Sequence, residues 1–113
     1  MKIGHGYDAH RLIEGSGVIL GGVAITCNYS IDAHSDGDLI VHALIDALLG
    51  AAGFGDIGTL YPSEDNKFKN ISSRELLRDV VSRIKDENYT PLQSNWRTFT
   101  VFLCCLLYTS DAA

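Results

Sequence analysis

Asp8 and His10 stand one residue apart in the opening stretch IGHGYDAHRL (3–12). On a strand, residues two apart project from one face, so this pair can grip one cation. A second imidazole, His42, lies in SDGDLIVHALIDALLGAAG (35–53), where Asp38, His42 and Asp46 recur every four residues. On a helix that spacing makes one polar stripe. Two imidazoles and a carboxylate with an open fourth position match a working zinc or similar divalent site, whereas a structural zinc is closed by four ligands. Asp38 and Asp46 lie one turn to either side of His42, and either can accept its second N–H and fix the ring. The stripe reads equally as a polar helix face at a subunit contact.

Three further stretches carry chemistry of a more ordinary appearance. AHSDGD (33–38) sets His34 and Ser35 before a helix N-terminus, whose exposed N–H groups attract anions. It also reads as a capped helix start with a bystander histidine. GDIG (55–58) is a turn in which Gly55 and Gly58 permit unusual dihedrals, and Tyr61, Pro62, Ser63, Glu64 and Asp65 read as a solvated loop.

The elements that must position these groups follow from pattern. Residues 2–8 read as a short strand, weakened by Gly4 and Gly6. VILGGVAIT (18–26) is strand, Gly-Gly kink or hairpin, then strand. CNYSIDAHSDG (27–37) reads as a polar loop. Ser35 can cap the long helix with Asp36 and Asp38 in its first turn, and Gly50 or Gly53 ends it. That helix is apolar nearly all round and so needs several neighbours. A loop at 53–68 leads to a second helix at about 73–88, with Ser72 and Glu75 as a capping box and Leu76, Leu77, Val80, Val81 and Ile84 as its apolar stripe. Asn88 and Pro91 stop it. From residue 92 the chain, LQSNWRTFTVFLCCLLYTSDAA, has neither period. It reads as a buried strand or as sequence foreign to the rest, and TVFLCCLLY, β-prone and uncharged with no evident partner strand, predicts poor solubility.

At 113 residues the chain makes one domain at most, and 46% hydrophobic with 20% charged residues is a globular composition. Nine basic against fourteen acidic side chains give a net charge of −5, which argues against nucleic acid or an anionic membrane as partner. An anionic ligand would need divalent cations and backbone N–H groups to offset that charge. Cys27, Cys104 and Cys105 are odd in number, and two are adjacent, which suits free thiols in a reducing compartment. No signal-peptide pattern opens the chain, and its longest apolar block, VFLCCLLY (101–108), falls short of the ~20 residues that cross a bilayer. The expected location is cytoplasmic, or plastid for a plant or algal source.

Taken together, IGHGYDAHRL, LGGVAI, AHSDGDLIVHALIDALLGAAGFGDIGTLYPSED and FKNISSRELL closely resemble the 2-C-methyl-D-erythritol 2,4-cyclodiphosphate synthase family of the non-mevalonate isoprenoid route. The resemblance runs from residue 1 to about 90. It implies an α+β fold, a small sheet packed against two or more helices, in a homotrimer with active sites between subunits. By position, Asp8, His10 and His42 match the family's zinc ligands. His34, which also stabilises the transition state, and Ser35 match contacts to the phosphorylated polyol. Asp56, Ile57 and Gly58 match the segment binding its hydroxyls, and Tyr61, Pro62, Ser63, Glu64 and Asp65 match a further substrate loop. Ser63 stands where the family often has aspartate. The implied substrate is a cytidine diphosphate whose 2-phosphate attacks the β-phosphorus and expels CMP, with Mg²⁺ or Mn²⁺ on the diphosphate.

The resemblance stops between Pro91 and Asn95. The family's cytidine-binding segment and the Thr-Thr-x-Glu stretch that ligates the second metal do not occur in these 113 residues. The expected organisation is therefore 1–91 as the N-terminal part of a synthase domain and 92–113 as a non-matching tail, frameshifted or foreign, on a truncated chain with little or no cyclase activity. Two alternatives stand beside it: an inactive zinc-binding fragment, and a hydrolase using metal-bound water with Asp38 or Asp46 as base.

Overall fold

The computed structural model describes residues 2–33, 35–62, 64–68, 71–87 and 99–109. Strand β1 (Lys2–Glu14) leads to β2 (Gly17–Leu20), β3 (Val23–Thr26) and β4 (Tyr29–Asp32). Helix α1 (Leu39–Ala52), the single turn α2 (Ile57–Leu60) and α3 (Ser73–Glu87) follow, and β5 (Phe99–Tyr108) comes last. This is an α+β fold, with a three-stranded sheet in the order β4-β1-β5 packed against α1 and, beyond it, α3.

The Gly-Gly hairpin forms as expected. Gly21 and Gly22 have φ of 60° and 80°, the paired left-handed conformation of a tight two-residue turn, and β2 pairs antiparallel with β3 around them. Gly15 N–H to Asn28 O and Cys27 N–H to Ser16 O carry that ladder on to β1 and β4. β1 is thus much longer than residues 2–8. The stretch 27–37 is not all loop, because Tyr29–Asp32 pairs antiparallel with Arg11–Glu14.

β5 corrects the largest expectation. The apolar tail segment does have a partner, running parallel to β1 in register from Lys2↔Phe99 to Arg11↔Tyr108. A pairing between residues almost the whole chain apart leaves no local trace, although it satisfies the backbone groups along the facing edges of both strands.

α1 lies close on the sheet because the residues facing it are small. A Cβ on Gly4 would sit 1.9 Å from Ala47 O, and one on Gly6 would sit 1.7 Å from Ala43 O. The other flank of α1 supplies Val41, Ile45 and Leu49 to a core shared with Tyr61 and with Leu76, Val80 and Ile84 of α3. The apolar girdle of α1 is therefore covered on both sides, by sheet and by helix. α3 begins at Ser73 as its stripe predicts, but the Ser72 hydroxyl accepts from the Arg74 N–H, and Glu75 pairs with Arg78, so no reciprocal capping box forms. Its expected stop at Asn88 and Pro91 lies outside the described residues.

Candidate metal centre

The even-numbered residues of β1 face α1. Gly4 and Gly6 make the close approach, and two and four residues on, Asp8 and His10 occupy the same face where it meets the helix N-terminus. His42, in the first turn of α1, points back at them. Asp8 Oδ2 lies 2.9 Å from His10 Nε2 and 3.2 Å from His42 Nδ1, and the two ring nitrogens are 3.4 Å apart. Tetrahedral coordination at ~2.0–2.1 Å sets neighbouring ligand atoms about 3.3 Å apart. The triangle matches that spacing, so these residues fit a small divalent cation with a fourth position open. All three side chains are largely shielded, at 24%, 20% and 12% exposure.

The elements bring the ligands together by separate means. Asp38 ends the approach to α1 as its N-cap, accepting from the Val41 N–H at 3.2 Å, so the helix starts at Leu39 and Ser35 is not its cap. The same buried carboxylate accepts the Gly21 and Gly22 N–H groups at 2.8 and 2.7 Å, pinning the hairpin to the helix. Asp46 accepts the Ile57 N–H at 2.8 Å and ties the 55–58 segment to α1. Burial pushes the Asp46 carboxyl above its ordinary range; the Ile57 N–H opposes this, and the charges of Asp56 and Asp8 add to it.

Neither aspartate of the stripe therefore holds the second nitrogen of His42. That role falls to Ser73, whose hydroxyl lies 2.7 Å from His42 Nε2, with Ser35 Oγ further off at 3.4 Å. Ser73 is fully buried, and its hydroxyl and N–H both donate to Asp36. Burial alone would raise the Asp36 carboxyl. The hydrogen bonds from Ser73 and from the Asp38 N–H outweigh it and hold the group below its usual range. A serine at a helix start reads in sequence as a cap, so nothing local signalled this contact.

The three ligands lie at the floor of an open cleft of about 370 Å³. Ser35, Ile57, Gly58, Tyr61 and Glu64 line it, as do Ala33, Ile71 and Leu76, which the sequence did not single out for the site. Asp56 caps α2 and binds both the N–H and the hydroxyl of Thr59, which lowers its carboxyl, while Asp65 faces Lys67 and Pro62 precedes it in the turn. His34 and Ser63 lie outside the described residues. Tyr61 is anchored from behind: its hydroxyl donates to Asp79 of α3, whose carboxylate also takes Arg83 Nε at 2.9 Å. The Arg83 guanidinium sits 5.8 Å from the Tyr61 ring centre.

Known proteins resemble this chain in both sequence and fold. A family model described as the YgbB family matches residues 1–99. The 2-C-methyl-D-erythritol 2,4-cyclodiphosphate synthases of Clostridium acetobutylicum and Azotobacter vinelandii are each 54% identical over 89 residues, covering 79% of this chain and 57% of their own. That of Pseudomonas fluorescens is 58% identical over 84 residues, covering 74% and 54%. A solved 2C-methyl-D-erythritol-2,4-cyclodiphosphate synthase in a CDP-bound form superposes with a TM-score of 0.70 at 30% identity, over 96% of this chain and 89% of that one. The bifunctional IspDF of Campylobacter jejuni does so at 0.69 and 32%, over 90% and 35%. The chain thus spans a little over half the length of the curated relatives it matches. On sequence and fold together, it belongs to the YgbB family of 2-C-methyl-D-erythritol 2,4-cyclodiphosphate synthases.

Proposed function

We propose that this chain carries the metal-holding half of a cyclodiphosphate synthase site. The reaction converts 4-diphosphocytidyl-2-C-methyl-D-erythritol 2-phosphate to the cyclic diphosphate and releases CMP, in isoprenoid biosynthesis by the non-mevalonate route. The supporting observation is the convergence of Asp8, His10 and His42 at the floor of a cleft walled by Ser35, Ile57, Gly58, Tyr61 and Glu64. These are positions that the family resemblance assigns to metal and substrate.

The nucleophile is an oxygen of the substrate's own phosphate, so no protein nucleophile is needed. Catalysis then consists of positioning and charge neutralisation. Zinc, or another divalent ion, held by Asp8, His10 and His42 supplies polarisation of phosphate oxygens when bound. The Ser35 hydroxyl and His34 engage the phosphorylated polyol, with His34 steadying the transition state. Asp56, Ile57 and Gly58 take the hydroxyl groups, and the 61–65 segment completes that wall. Mg²⁺ or Mn²⁺ on the diphosphate is the second ion, and the glutamate that ligates it in the family has no counterpart in these 113 residues. A homotrimer with shared sites accords with the apolar outer face left on the sheet.

A second reading is that the 113-residue polypeptide binds zinc without turnover. Metal content and CMP release, measured together on the same preparation, separate the two. One zinc per chain with CMP release, both lost in Asp8→Ala, supports the synthase; zinc with no CMP supports the binding module; no zinc removes both. A hydrolase reading would need Asp46 as base, since Asp38 is 1% exposed and engaged by three backbone N–H groups. Asp46→Asn is expected to keep its zinc and any CMP release.

A further inference from the structure

We infer that Ser73, held by Asp36, is the positioning residue that sets which nitrogen of His42 faces the metal. The inference rests on the metal site proposed above. The direction of each hydrogen bond follows from the group at the far end. An ionised carboxylate can only accept. Asp36 takes the Ser73 hydroxyl on Oδ1, the Ser73 N–H on Oδ2 at 2.9 Å and the Asp38 N–H on Oδ1 at 3.1 Å. The single hydroxyl proton of Ser73 is thereby committed to Asp36, and toward His42 Nε2, 2.7 Å away, Ser73 has only a lone pair to offer. Nε2 must then carry the imidazole proton. In a neutral ring this leaves Nδ1 bare, and Nδ1 is the atom that faces Asp8 Oδ2 and His10 Nε2.

The arrangement has two consequences. With an ion bound, the proton is kept on Nε2 by Ser73, and Nδ1 is the nitrogen left to ligate. Because Ser73 is the first residue of α3, the seating of that helix and the shape of the metal site are set together, and the Asp36 carboxylate that fixes Ser73 stands only two residues before the N-cap of α1. A hydroxyl that served packing alone would need neither the carboxylate nor the histidine, whereas Ser73, with none of its surface exposed, touches both.

The test uses the full 113-residue chain, zinc alone as probe, and competition against a chromophoric chelator as readout. Removing such a partner of a metal-bound histidine costs about 10–100-fold in affinity. Ser73→Ala and the isosteric Asp36→Asn are expected to weaken zinc binding by about that factor, and Ser73→Thr, which keeps the hydroxyl, to recover most of it. Ser35→Ala is expected to change it less than Ser73→Ala, because its hydroxyl is the more distant one. Equal zinc affinity in parent and Ser73→Ala, with the parent binding one zinc that Asp8→Ala loses, overturns the role of Ser73 and leaves the metal site intact. A parent that binds no zinc overturns both. Should Ser73→Ala fail to fold, ¹⁵N spectra of the His42 ring in the zinc-loaded parent decide: a proton on Nε2 supports the inference, and a proton on Nδ1 overturns it.

Discussion

A carboxylate one helical turn from an imidazole competes with every backbone donor within reach. Asp38 and Asp46 were both placed by their spacing to orient His42, yet each is taken by N–H groups of a chain segment that returns from elsewhere, Gly21 and Gly22 for one and Ile57 for the other. Buried donors left without acceptors cost more than a ring left to another partner, so the backbone wins and Ser73 takes the ring. Glycine exerts its effect at this scale too. Gly6→Ala would drive a Cβ to 1.7 Å from Ala43 O, a backbone atom with no rotamer to yield. Separating β1 from α1 is expected to lower unfolding free energy by about 3 kcal/mol, measurable by urea denaturation. Because Asp8 and His10 ride on the same strand, zinc affinity should fall in the same variant, whereas at Gly50, inside α1 with nothing within 4 Å of an added Cβ, alanine should leave zinc affinity unchanged and raise stability by about 0.5–1 kcal/mol.

Among the elements, α3 and the 61–68 segment are joined through one tyrosine. Burial, and then the Asp79 carboxylate, push the Tyr61 hydroxyl up to about 12, while the Tyr61 hydrogen bond holds Asp79 below its ordinary range. A tyrosine whose proton is held more tightly in the folded state stabilises it below the unfolded value near 10, and that contribution fades as pH rises from about 10 to about 12. Tyr61→Phe is expected to cost about 1 kcal/mol at neutral pH. It should also lose less stability than the parent between pH 9.5 and 11.5; parallel losses in the two proteins would rule out the contact as the cause. The Asp79 side of the same contact runs the opposite way, present above the unfolded carboxylate value of about 3.9 and lost as pH falls below it. Elements were legible where their period was long. The α3 stripe of Leu76, Val80 and Ile84 repeats every four residues and all three are buried as the repeat predicts. β4, four residues in a polar stretch, carried too little alternation to show, and the start of α1 moved to Leu39 because Asp38 has a better set of donors than Ser35.

At the scale of the whole molecule, the sheet has one covered and one open face. On the open face Ile3, Tyr7, Phe102 and Leu106 lie side by side, with Ile3 63% and Phe102 58% exposed. A contiguous apolar surface of this kind drives association. Phe102→Lys with Leu106→Lys is expected to raise the soluble yield and to abolish concentration-dependent sedimentation without changing zinc affinity, since both side chains point away from Asp8 and His10. Unchanged sedimentation would place the association elsewhere. The amino-acid sequence by itself determined that Asp8 and His10 share one face, because a two-residue spacing on a strand fixes this through covalent geometry alone. It determined the α1 and α3 helices and the Gly-Gly turn for the same reason. That His42 meets Asp8 and His10 depends on how α1 packs on β1. Only the tertiary structure decided that β5 lies parallel to β1, that Asp38 and Asp46 serve the backbone, and that Ser73 holds His42. Those pairings join residues 11 to 17 positions apart at the two carboxylates, 31 at the ring and most of the chain length in the sheet, and which donor meets which acceptor depends on how the packed elements lie.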